Sequence, residues 1–369
     1  MTKIRFLAYG DIHHASKAAR CLTLEDTLAI ERQVHQRVID GGFDFSVFVG
    51  DRYLKREPED EVKVKADRVL AECLQARGDS GAPHFHLIGN HDWTKNNREW
   101  HTSESLKGLS SLVVFDLPDT IHGAGYVYAV HALPADVDFD MAAYDVDPAQ
   151  FNLFLFHGIV RGSLMSDRSE RTFTEGIDLA DIDRPEWDFV LGGDIHVPQT
   201  IPFTNTKGGY TGSTLQRDRG EADQGRGWLE ITATRGADGW EIETEFVPTR
   251  NFFHRETWEV GDDTLYDTII VNETYVVDQA VEIKLAGTRQ NVDRIADDPR
   301  WSNYVDLLGA RSLDIIRDYV VEQDEAVVDL STSTGVLDDL NLYLESGFAN
   351  PGTLSKDRIF DMLTKLKEM

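Results

Sequence analysis

The first two thirds of the chain alternate short apolar runs with longer segments in which apolar residues recur three and four positions apart. A short apolar run is typical of a buried strand, and the three-to-four spacing is typical of an amphipathic helix. The pattern therefore predicts an α/β fold in which strands and helices alternate around a buried sheet. The predicted strands are Ile4–Tyr9, Phe45–Val49, Phe85–Ile88, Leu112–Phe115, Tyr126–Val130, Leu153–Phe156, Phe189–Leu191, Trp228–Thr232 and Trp240–Phe246, and the predicted helices are Leu24–Asp40 and Val62–Arg77.

A smaller α+β unit is predicted after the break at Pro248–Asn251. Beyond it the pattern indicates strands at Ala280–Ala286 and Ser312–Val320 and part of a helix at Gln290–Ile295. The polar stretch Ser331–Gly335 is typical of a linker. These breaks divide the chain into residues 1–249, 250–332 and 333–369.

The tail is predicted to contain two amphipathic helices, Leu337–Leu344 and Ser355–Lys367. In the second, Ile359, Met362 and Leu366 repeat at helical spacing, and Ser355 is a good N-cap residue. This apolar stripe fits either a coiled-coil partner or packing on the protein's own domain.

Composition indicates a folded protein with an unusual charge. A chain of 369 residues that is 41% hydrophobic and 10% aromatic can build a sizeable core. The lack of a bilayer-length apolar segment or a signal peptide, together with only two cysteines, leads us to expect a cytoplasmic protein. The net charge of -28 disfavours nucleic-acid binding through a broad basic face of the chain itself. The acidity serves either solubility or the binding of divalent metal ions, and composition alone leaves both open.

Histidines and aspartates follow five of the predicted strands. Because the carboxyl ends of strands in an open α/β sheet share one edge, where ligands bind, we expect these motifs to meet at one site. The motifs are Asp11-Ile12-His13, Gly50-Asp51, Gly89-Asn90-His91-Asp92, His157-Gly158 and Gly193-Asp194-Ile195-His196.

The residue types in these motifs are those of a catalytic metal site. Asp and His two positions apart on an extended backbone point to the same side and can bind one ion. Carboxylate and imidazole ligands suit manganese, iron or zinc better than calcium. The motifs offer more potential ligands than one ion needs, but enough for two ions if Asp51 bridges them. The potential ligands are Asp11, His13, Asp51, Asn90, His157, Asp194 and His196.

Two such ions predict phosphoester hydrolysis. Ions held about 3.5 to 4 Å apart clamp a phosphate ester and lower the pKa of a shared water towards roughly 7. His91 is better placed as a proton donor to the leaving oxygen, or as a partner of a phosphate oxygen, than as a ligand. Asp92 follows it and is a candidate to orient its ring.

The ordered motifs, over roughly Ile4–His196, resemble the calcineurin-like metallophosphoesterases. Tyr210-Thr211-Gly212-Ser213, Gly220-Glu221 and the strand Gly227–Ile231 further resemble the SbcD-type DNA repair nucleases, cellular or encoded by tailed phages. This resemblance implies a sandwich of two mixed β-sheets flanked by helices, a small α+β DNA-capping domain and a C-terminal helical tail.

The resemblance also implies a function and its parts. The activity would be a manganese-dependent 3'-to-5' exonuclease and endonuclease on double-strand ends and single strands of DNA, in the cytoplasm or in a phage host's cytoplasm. Mg²⁺, Fe²⁺ or Zn²⁺ are other candidate ions. The partners would be an SbcC-type coiled-coil ATPase and a second copy of the chain, paired through helices near Leu24–Asp40 and Trp93–Leu106.

By the same resemblance each motif residue has a role. Asp11, His13, Asp51 and His196 would bind the first ion, Asp51, Asn90, His157 and Asp194 the second, and His91 would be the catalytic histidine. Arg52, Arg161 and Arg217 would contact DNA, although a surface salt bridge is as good an interpretation of the last two. The chain has Asp194 where the family usually has His, which moves the expected metal preference towards harder ions.

Two other functions fit the motifs. One is a phosphatase or phosphodiesterase acting on small phosphoesters or phosphoproteins. The other is an adaptor that docks partners without catalysis and whose metal site is vestigial. We expect the remaining histidines to be structural, including His84 and His86, which alternate on one strand and would face a polar layer.

Overall fold

The computed structural model describes residues 2–19, 22–78, 82–94, 97–166, 169–222, 224–264 and 276–319. The helices are α1 Leu24–Gly41, α2 Asp60–Ala76, α3 Leu179–Ile182, α4 Arg289–Ala296 and α5 Trp301–Leu308. The strands are β1 Lys3–Tyr9, β2 Lys17–Ala19, β3 Leu22–Thr23, β4 Phe45–Phe48, β5 His84–Leu87, β6 Trp93–Thr94, β7 Asn97–His101, β8 Leu112–Phe115, β9 Asp119–His122, β10 Tyr128–Leu133, β11 Phe151–His157, β12 Leu164–Ser166, β13 Ser169–Thr172, β14 Phe189–Gly193, β15 Gln199–Thr200, β16 Gly208–Tyr210, β17 Gly227–Arg235, β18 Trp240–Pro248, β19 Phe253–Val260, β20 Ala280–Gly287 and β21 Ser312–Tyr319.

Two mixed sheets carry the motifs. The first has the order β18-β17-β1-β4-β5-β8, in which β1, β4, β5 and β8 run parallel and β17 joins β1 antiparallel. The second has the order β15-β16-β14-β11-β10-β9, with β10, β11, β14 and β16 parallel. The predicted sandwich of two mixed sheets is confirmed.

The core lies between the two sheets. In β1, Ile4, Phe6 and Ala8 pack against side chains of the second sheet, whereas Leu7 and Tyr9 pack on the outer face, against α1. Successive side chains of a strand point to opposite faces, so a strand covered on both sides is apolar at nearly every position. This explains why the motif-bearing strands are continuous apolar runs in the sequence.

Helix α1 covers the outer face of the first sheet. It begins after Thr23, whose side chain accepts a hydrogen bond from the backbone N–H of Asp26, while the Asp26 carboxylate accepts one from the N–H of Thr23. This reciprocal cap satisfies two N–H groups that the first turn leaves unpaired. Apolar residues on one side of the helix, including Val34 and Val38, are buried against the sheet. The helix therefore closes the layer behind the strand ends that carry the first two motifs.

Residues after Pro248 form a further sheet, β19-β20-β21, covered by α4 and α5. The predicted strand Ala280–Ala286 and helix Gln290–Ile295 are found as β20 and α4, whereas β19 and α5 were not predicted. Arg311 of this unit binds the Asp26 carboxylate at the start of α1 with an Nη1–Oδ2 distance of 2.6 Å. Val320, the linker and both predicted tail helices lie outside the described residues.

The segment Trp93–Leu106 is not the helix that the resemblance implied. Its described residues form strands β6 and β7 and a 3₁₀ turn at Glu104–Leu106. The strands pair antiparallel, and Thr102 donates a backbone hydrogen bond to the carbonyl of Asp92.

Within the residues that the structure describes, no helix is both long and apolar enough to cross a membrane.

Candidate metal centre

The polar motifs meet at one edge of the sandwich, where β1, β4, β5, β11 and β14 end. All of the predicted ligands come together there, although they are spread over nearly two hundred positions of sequence. Ligand atoms lie within 4.8 Å of one another in three overlapping groups, which are Asp11, His13 and His196; His13, Asp51 and His91; and Asp11, Asp51 and His157.

Several ligand residues adopt a backbone conformation that is uncommon outside glycine. The φ angles are 48° at Asp11, 49° at His13, 61° at Asp51 and 88° at Asp194. Positive φ costs free energy for residues with a Cβ, and Asp, Asn and His tolerate it best. The turns after three strands therefore hold these side chains at the centre at the expense of local strain.

Asp51 belongs to two of these groups and joins them. Its Oδ2 is 3.7 Å from Nε2 of His13, and its Oδ1 is 3.3 Å from Nε2 of His157. Asp194 joins the cluster through the side-chain amide of Asn90, 3.4 Å from its Oδ1. Its backbone N–H donates to Asp11 Oδ1 at 3.1 Å. The Asp51 carboxylate, with one oxygen towards His13 and the other towards His157, is suited to bridge two ions.

Unpaired polar atoms at the centre fit divalent cations. Asp11 Oδ2 and Asn90 Oδ1 are buried without a hydrogen-bond partner, and such atoms are costly to leave unmatched. Nε2 of His13 and Nε2 of His196 are 3.2 Å apart. The guanidinium of Arg217, which can only donate, lies 3.3 Å from each of them, so both nitrogens present lone pairs. Lone pairs that converge in this way match the requirements of a metal ion.

The protonation of these groups also calls for added positive charge. Burial raises the pKa of the Asp11 carboxyl to about 7 and raises that of Asp194. Burial also opposes ionisation of Asp51, but His157 and His13 outweigh it and lower its pKa. Burial lowers the pKa of His157, yet the surrounding carboxylates, Asp51 foremost, raise it to about 10. Cations bound here would take over the stabilisation of these carboxylates.

His91 lies beside the cluster, but its ring is not oriented by Asp92. The His91 backbone N–H donates to Asp51 Oδ1 at 3.0 Å, and its Nδ1 donates to the carbonyl of Leu54 at 2.7 Å. The buried Asp92 carboxylate instead accepts backbone N–H bonds from Gly89, Asp51 and Arg52. The predicted role of Asp92 is therefore corrected: it holds two motif turns together.

The three arginines predicted to contact DNA differ in position. Arg52 is fully buried, ion-paired with Glu31 and bonded to the carbonyl of Ala66, so the prediction for Arg52 is wrong. Arg161 is exposed and pairs with Asp178 at 3.1 Å, as a surface salt bridge. Arg217 lies at the metal centre, where it meets His13 and His196.

Glu221 has a role that the sequence did not reveal. Its Oε1 accepts a hydrogen bond from Nδ1 of His196 at 2.8 Å. Gly220-Glu221 stood out only through the family resemblance, since nothing in a local pattern links a glutamate to a histidine 25 positions earlier.

A separate cluster of His101, Glu104 and Asp116 is neutralised by the ammonium of Lys107, which is 2.6 Å from Asp116 Oδ2.

Known proteins with related sequences include DNA double-strand break repair proteins. DNA double-strand break repair protein Mre11 of Haloferax volcanii is 25% identical over 92% of this chain and 69% of its own length. The Mre11 protein of Methanosarcina mazei is 24% identical over 73% of this chain, and the match spans 43% of that protein, less than half its length. A dimetal phosphatase from Danio rerio covers 66% of this chain and 98% of its own, with a TM-score of 0.40 and 8% identity.

A family description matches the part of the chain that builds the centre. The sequence pattern of the calcineurin-like phosphoesterases fits residues 4–198, more than half of the chain. That range begins in β1 and ends just after His196, so it contains every predicted ligand and His91. The family holds a dinuclear centre of divalent metal ions, which the unpaired donor atoms around Asp51 accommodate. The chain belongs to the calcineurin-like phosphoesterase family and is a metal-dependent phosphoesterase.

Proposed function

We propose that the protein is a manganese-dependent DNA nuclease, a 3'-to-5' exonuclease and endonuclease that hydrolyses phosphodiesters at a two-metal centre. We further propose that it is the nuclease subunit of an SbcCD-like repair or recombination complex. The observation that carries the proposal is the cluster of carboxylate, amide and imidazole ligands around Asp51, with His91 beside it. The Mre11 protein of Haloferax volcanii, which matches 92% of the chain, supports DNA as the substrate.

The residues of the chain divide the work of hydrolysis. Asp11, His13, Asp51 and His196 would hold one ion, and Asp51, Asn90, His157 and Asp194 the other. The bound ions supply Lewis-acid polarisation of the phosphate and activation of water. Nδ1–H of His91 is engaged by the carbonyl of Leu54, so it is in the doubly protonated ring that Nε2–H can give its proton to the leaving oxygen, which leaves a neutral ring.

The surroundings of the centre support binding of a phosphate chain. A cavity of about 400 Å³ opens next to Asp51 and His91 and is also lined by Arg217. The Arg217 guanidinium is the candidate partner of a phosphate oxygen, because it lies against the ligands and offers several donors. Met165 and Phe173 add an apolar wall on which a sugar or base can rest.

The net charge of -28 is consistent with a nuclease that does not hold DNA alone. We propose that a coiled-coil ATPase partner supplies the basic surface, that the chain forms a homodimer, and that it works in the cytoplasm. We keep the division into a nuclease domain at 1–249, a capping domain at 250–332 and a tail at 333–369. The separate core of β20, α4 and α5 supports the second of these.

The proposal is tested by digestion of linear double-stranded and single-stranded DNA with Mn²⁺, Mg²⁺, Fe²⁺ and Zn²⁺ in turn. We expect release of nucleotides that is strongest with manganese. His91→Asn should lower the cleavage rate by about 100-fold or more, since a general acid contributes roughly 10² to 10⁴. Elemental analysis should find two ions per chain in both proteins, because we assign His91 to proton transfer and not to either ion.

The matched control is His122→Asn, which changes a histidine that is hydrogen-bonded to Gln150 away from the centre. It should cleave like the wild type. Unchanged cleavage by His91→Asn would remove His91 from the mechanism. Rapid turnover of a small chromogenic monoester without attack on DNA would instead support the phosphatase alternative, and a centre that takes up no manganese would support the adaptor.

A further inference from the structure

Three histidine rings at the centre are anchored through Nδ1, those of His91, His157 and His196, but by different acceptors. Nδ1 of His91 donates to the carbonyl of Leu54 at 2.7 Å, and Nδ1 of His157 to the carbonyl of Val49 at 2.6 Å. Nδ1 of His196 donates to a carboxylate, that of Glu221, at 2.8 Å. A carbonyl fixes the position of the ring proton, whereas an ionised carboxylate also makes the imidazole a stronger electron donor.

Glu221 is held so that its carboxylate faces His196. It ends the 3₁₀ turn Arg219–Glu221, which begins at Asp218, whose side chain accepts a hydrogen bond from the N–H of Gly220. The second carboxylate oxygen, Oε2, accepts the backbone N–H of Arg217 at 2.8 Å. It also lies 3.6 Å from Nε of the buried Arg226. With both oxygens engaged and the side chain 15% exposed, the carboxylate has little freedom to turn away.

This contact determines which nitrogen of His196 meets the metal. With its proton on Nδ1, the ring directs the Nε2 lone pair inward, 4.0 Å from Oδ1 of Asp11 and 3.2 Å from Nε2 of His13. Without an acceptor at Nδ1, the guanidinium of Arg217, 3.3 Å from Nε2, would be the remaining contact that favours this tautomer, and the ring would be free to rotate. Protonation at Nε2 would remove the lone pair from the centre.

We propose that Glu221 is a positioning residue for the first metal ion: it fixes the tautomer and orientation of His196, so that Nε2 faces the ion. Glu221 contacts His196, which we assign to the first ion. It contacts neither Asn90, His157 nor Asp194, which we assign to the second ion only. The effect is therefore confined to the first ion. The inference rests on the proposed two-metal centre, but not on the identity of the substrate.

A purely structural role for Glu221 predicts different behaviour. If the carboxylate only holds the turn at residues 217–226, its loss would lower stability and leave the affinity for both ions equal to that of the wild type. If it positions His196, its loss changes the affinity for one ion and the tautomer of one ring. Metal affinity and histidine NMR therefore separate the two roles, and thermal unfolding reports on the fold.

The experiment compares wild type, Glu221→Ala and Glu221→Gln after metal is stripped with a chelator. Calorimetric titration with Mn²⁺ should give two sites in the wild type. In Glu221→Ala one site should weaken by about 10- to 100-fold, the usual effect of removing an outer partner of a metal-bound histidine, while the other is unchanged. Glu221→Gln retains an oxygen acceptor without the charge, so it should fall between the two.

Nitrogen NMR of histidine-labelled protein gives the second readout. The His196 signal, assigned by its loss in His196→Gln, should show Nδ1 protonated in metal-free wild type and a mixture of tautomers in Glu221→Ala. The matched control is Glu256→Ala, which removes a carboxylate 3.0 Å from Nε2 of His254, outside the centre. It should leave both manganese affinities unchanged.

Equal manganese affinities in wild type and Glu221→Ala, with an unchanged His196 tautomer, would overturn the proposal. Glu221→Gln, nearly the same size as glutamate, keeps the test decisive if the alanine variant unfolds. DNA cleavage is not measured, so failure of the nuclease proposal is a separate result: a protein that binds two ions with the expected dependence on Glu221 but leaves DNA intact refutes only the substrate.

Discussion

Two glycines of the motifs allow one strand end to pass against the side chains of another. A Cβ built on Gly89 would lie 2.2 Å from Oδ1 of Asp51, and one on Gly50 would lie 2.3 Å from Nδ1 of His157. Atoms this close cannot coexist, and Gly50 also has a φ of 102°, where a side chain is strained. These positions therefore need glycine for the sake of the neighbouring ligands.

Gly89→Ala should accordingly damage the metal centre through Asp51. The added methyl group must push the bridging carboxylate away or move the backbone, which costs about 1–3 kcal/mol in a packed site. We expect a lower midpoint in denaturant unfolding and a loss of manganese affinity at both sites, because Asp51 serves both. Gly108→Ala is the control, since a Cβ there meets no atom within 4 Å. Equal manganese binding in the two variants would contradict this assignment of Asp51.

Elements with two apolar faces were predictable from the sequence, and elements with one short apolar face were not. The predicted strand Phe45–Val49 is found as β4, Phe45–Phe48, because both of its faces are buried. The predicted strand at Tyr126–Val130 begins two residues later than expected, since the positive φ of Tyr126 breaks the extended run. Strand β19 was missed because charged and polar residues interrupt its apolar positions.

The same limit applies to the centre. The ligands were predictable because each directly follows a strand whose end is fixed by the pattern. The contacts of Arg52, Asp92 and Glu221 were not predictable, because each of these residues depends on a partner that the tertiary fold supplies. Arg52 illustrates this: beside a metal ligand in sequence, it points into a pocket between α1 and α2 and meets Glu31 there.

The Glu31–Arg52 pair joins the two helices to the turn that carries Asp51. Both side chains are fully buried, and Glu31 also accepts a hydrogen bond from Nε2 of His14 at 3.1 Å. Removing one member of a buried pair leaves an uncompensated charge and costs about 3–5 kcal/mol. Glu31→Leu should therefore lower the free energy of unfolding by that order of magnitude.

Urea unfolding of Glu31→Leu, Arg52→Leu and the double variant checks this prediction. In the double variant no buried charge is left unpaired, so it should be more stable than either single variant. The surface pair Lys55–Glu59 is the control, because Glu59→Ala removes an exposed partner and should change stability by under about 1 kcal/mol. Additive losses in the double variant would show that the two residues do not act as a pair.

For the whole molecule, acidic surface and buried imidazoles set the response to pH. At a net charge of -28, falling pH first relieves repulsion between surface carboxylates. Buried neutral histidines have the opposite effect, because they lower the stability of the folded protein as pH falls. Burial, opposed by the hydrogen bond to Asn152, lowers the pKa of His131 to about 4, and burial with nearby Arg77 lowers that of His35 to about 3. The unfolded chain has an imidazole pKa of about 6.5.

The sign of their contribution follows from these values. Above about pH 6.5 the imidazoles are neutral in both states, and their full contribution to stability is present. As pH falls below 6.5, the unfolded chain takes up protons that the folded protein refuses, so stability declines towards the folded pKa of each histidine, by up to about 1.4 kcal/mol per pH unit for each. His131→Gln removes one group that takes up a proton in the unfolded chain but not in the folded protein. The melting temperature of this variant should therefore fall less steeply than that of wild type between about pH 6.5 and pH 4.5.

His122 provides a control of the opposite sign. Its hydrogen bond to Gln150, assisted by Asp145, raises its pKa above the ordinary value. It therefore adds stability that is present at low pH and is lost as pH rises through its folded pKa. His122→Gln should steepen the fall of melting temperature with acidification, whereas His131→Gln should flatten it. A His131→Gln curve parallel to that of wild type would contradict the prediction, because it would mean that His131 takes up a proton as readily in the folded protein as in the unfolded chain.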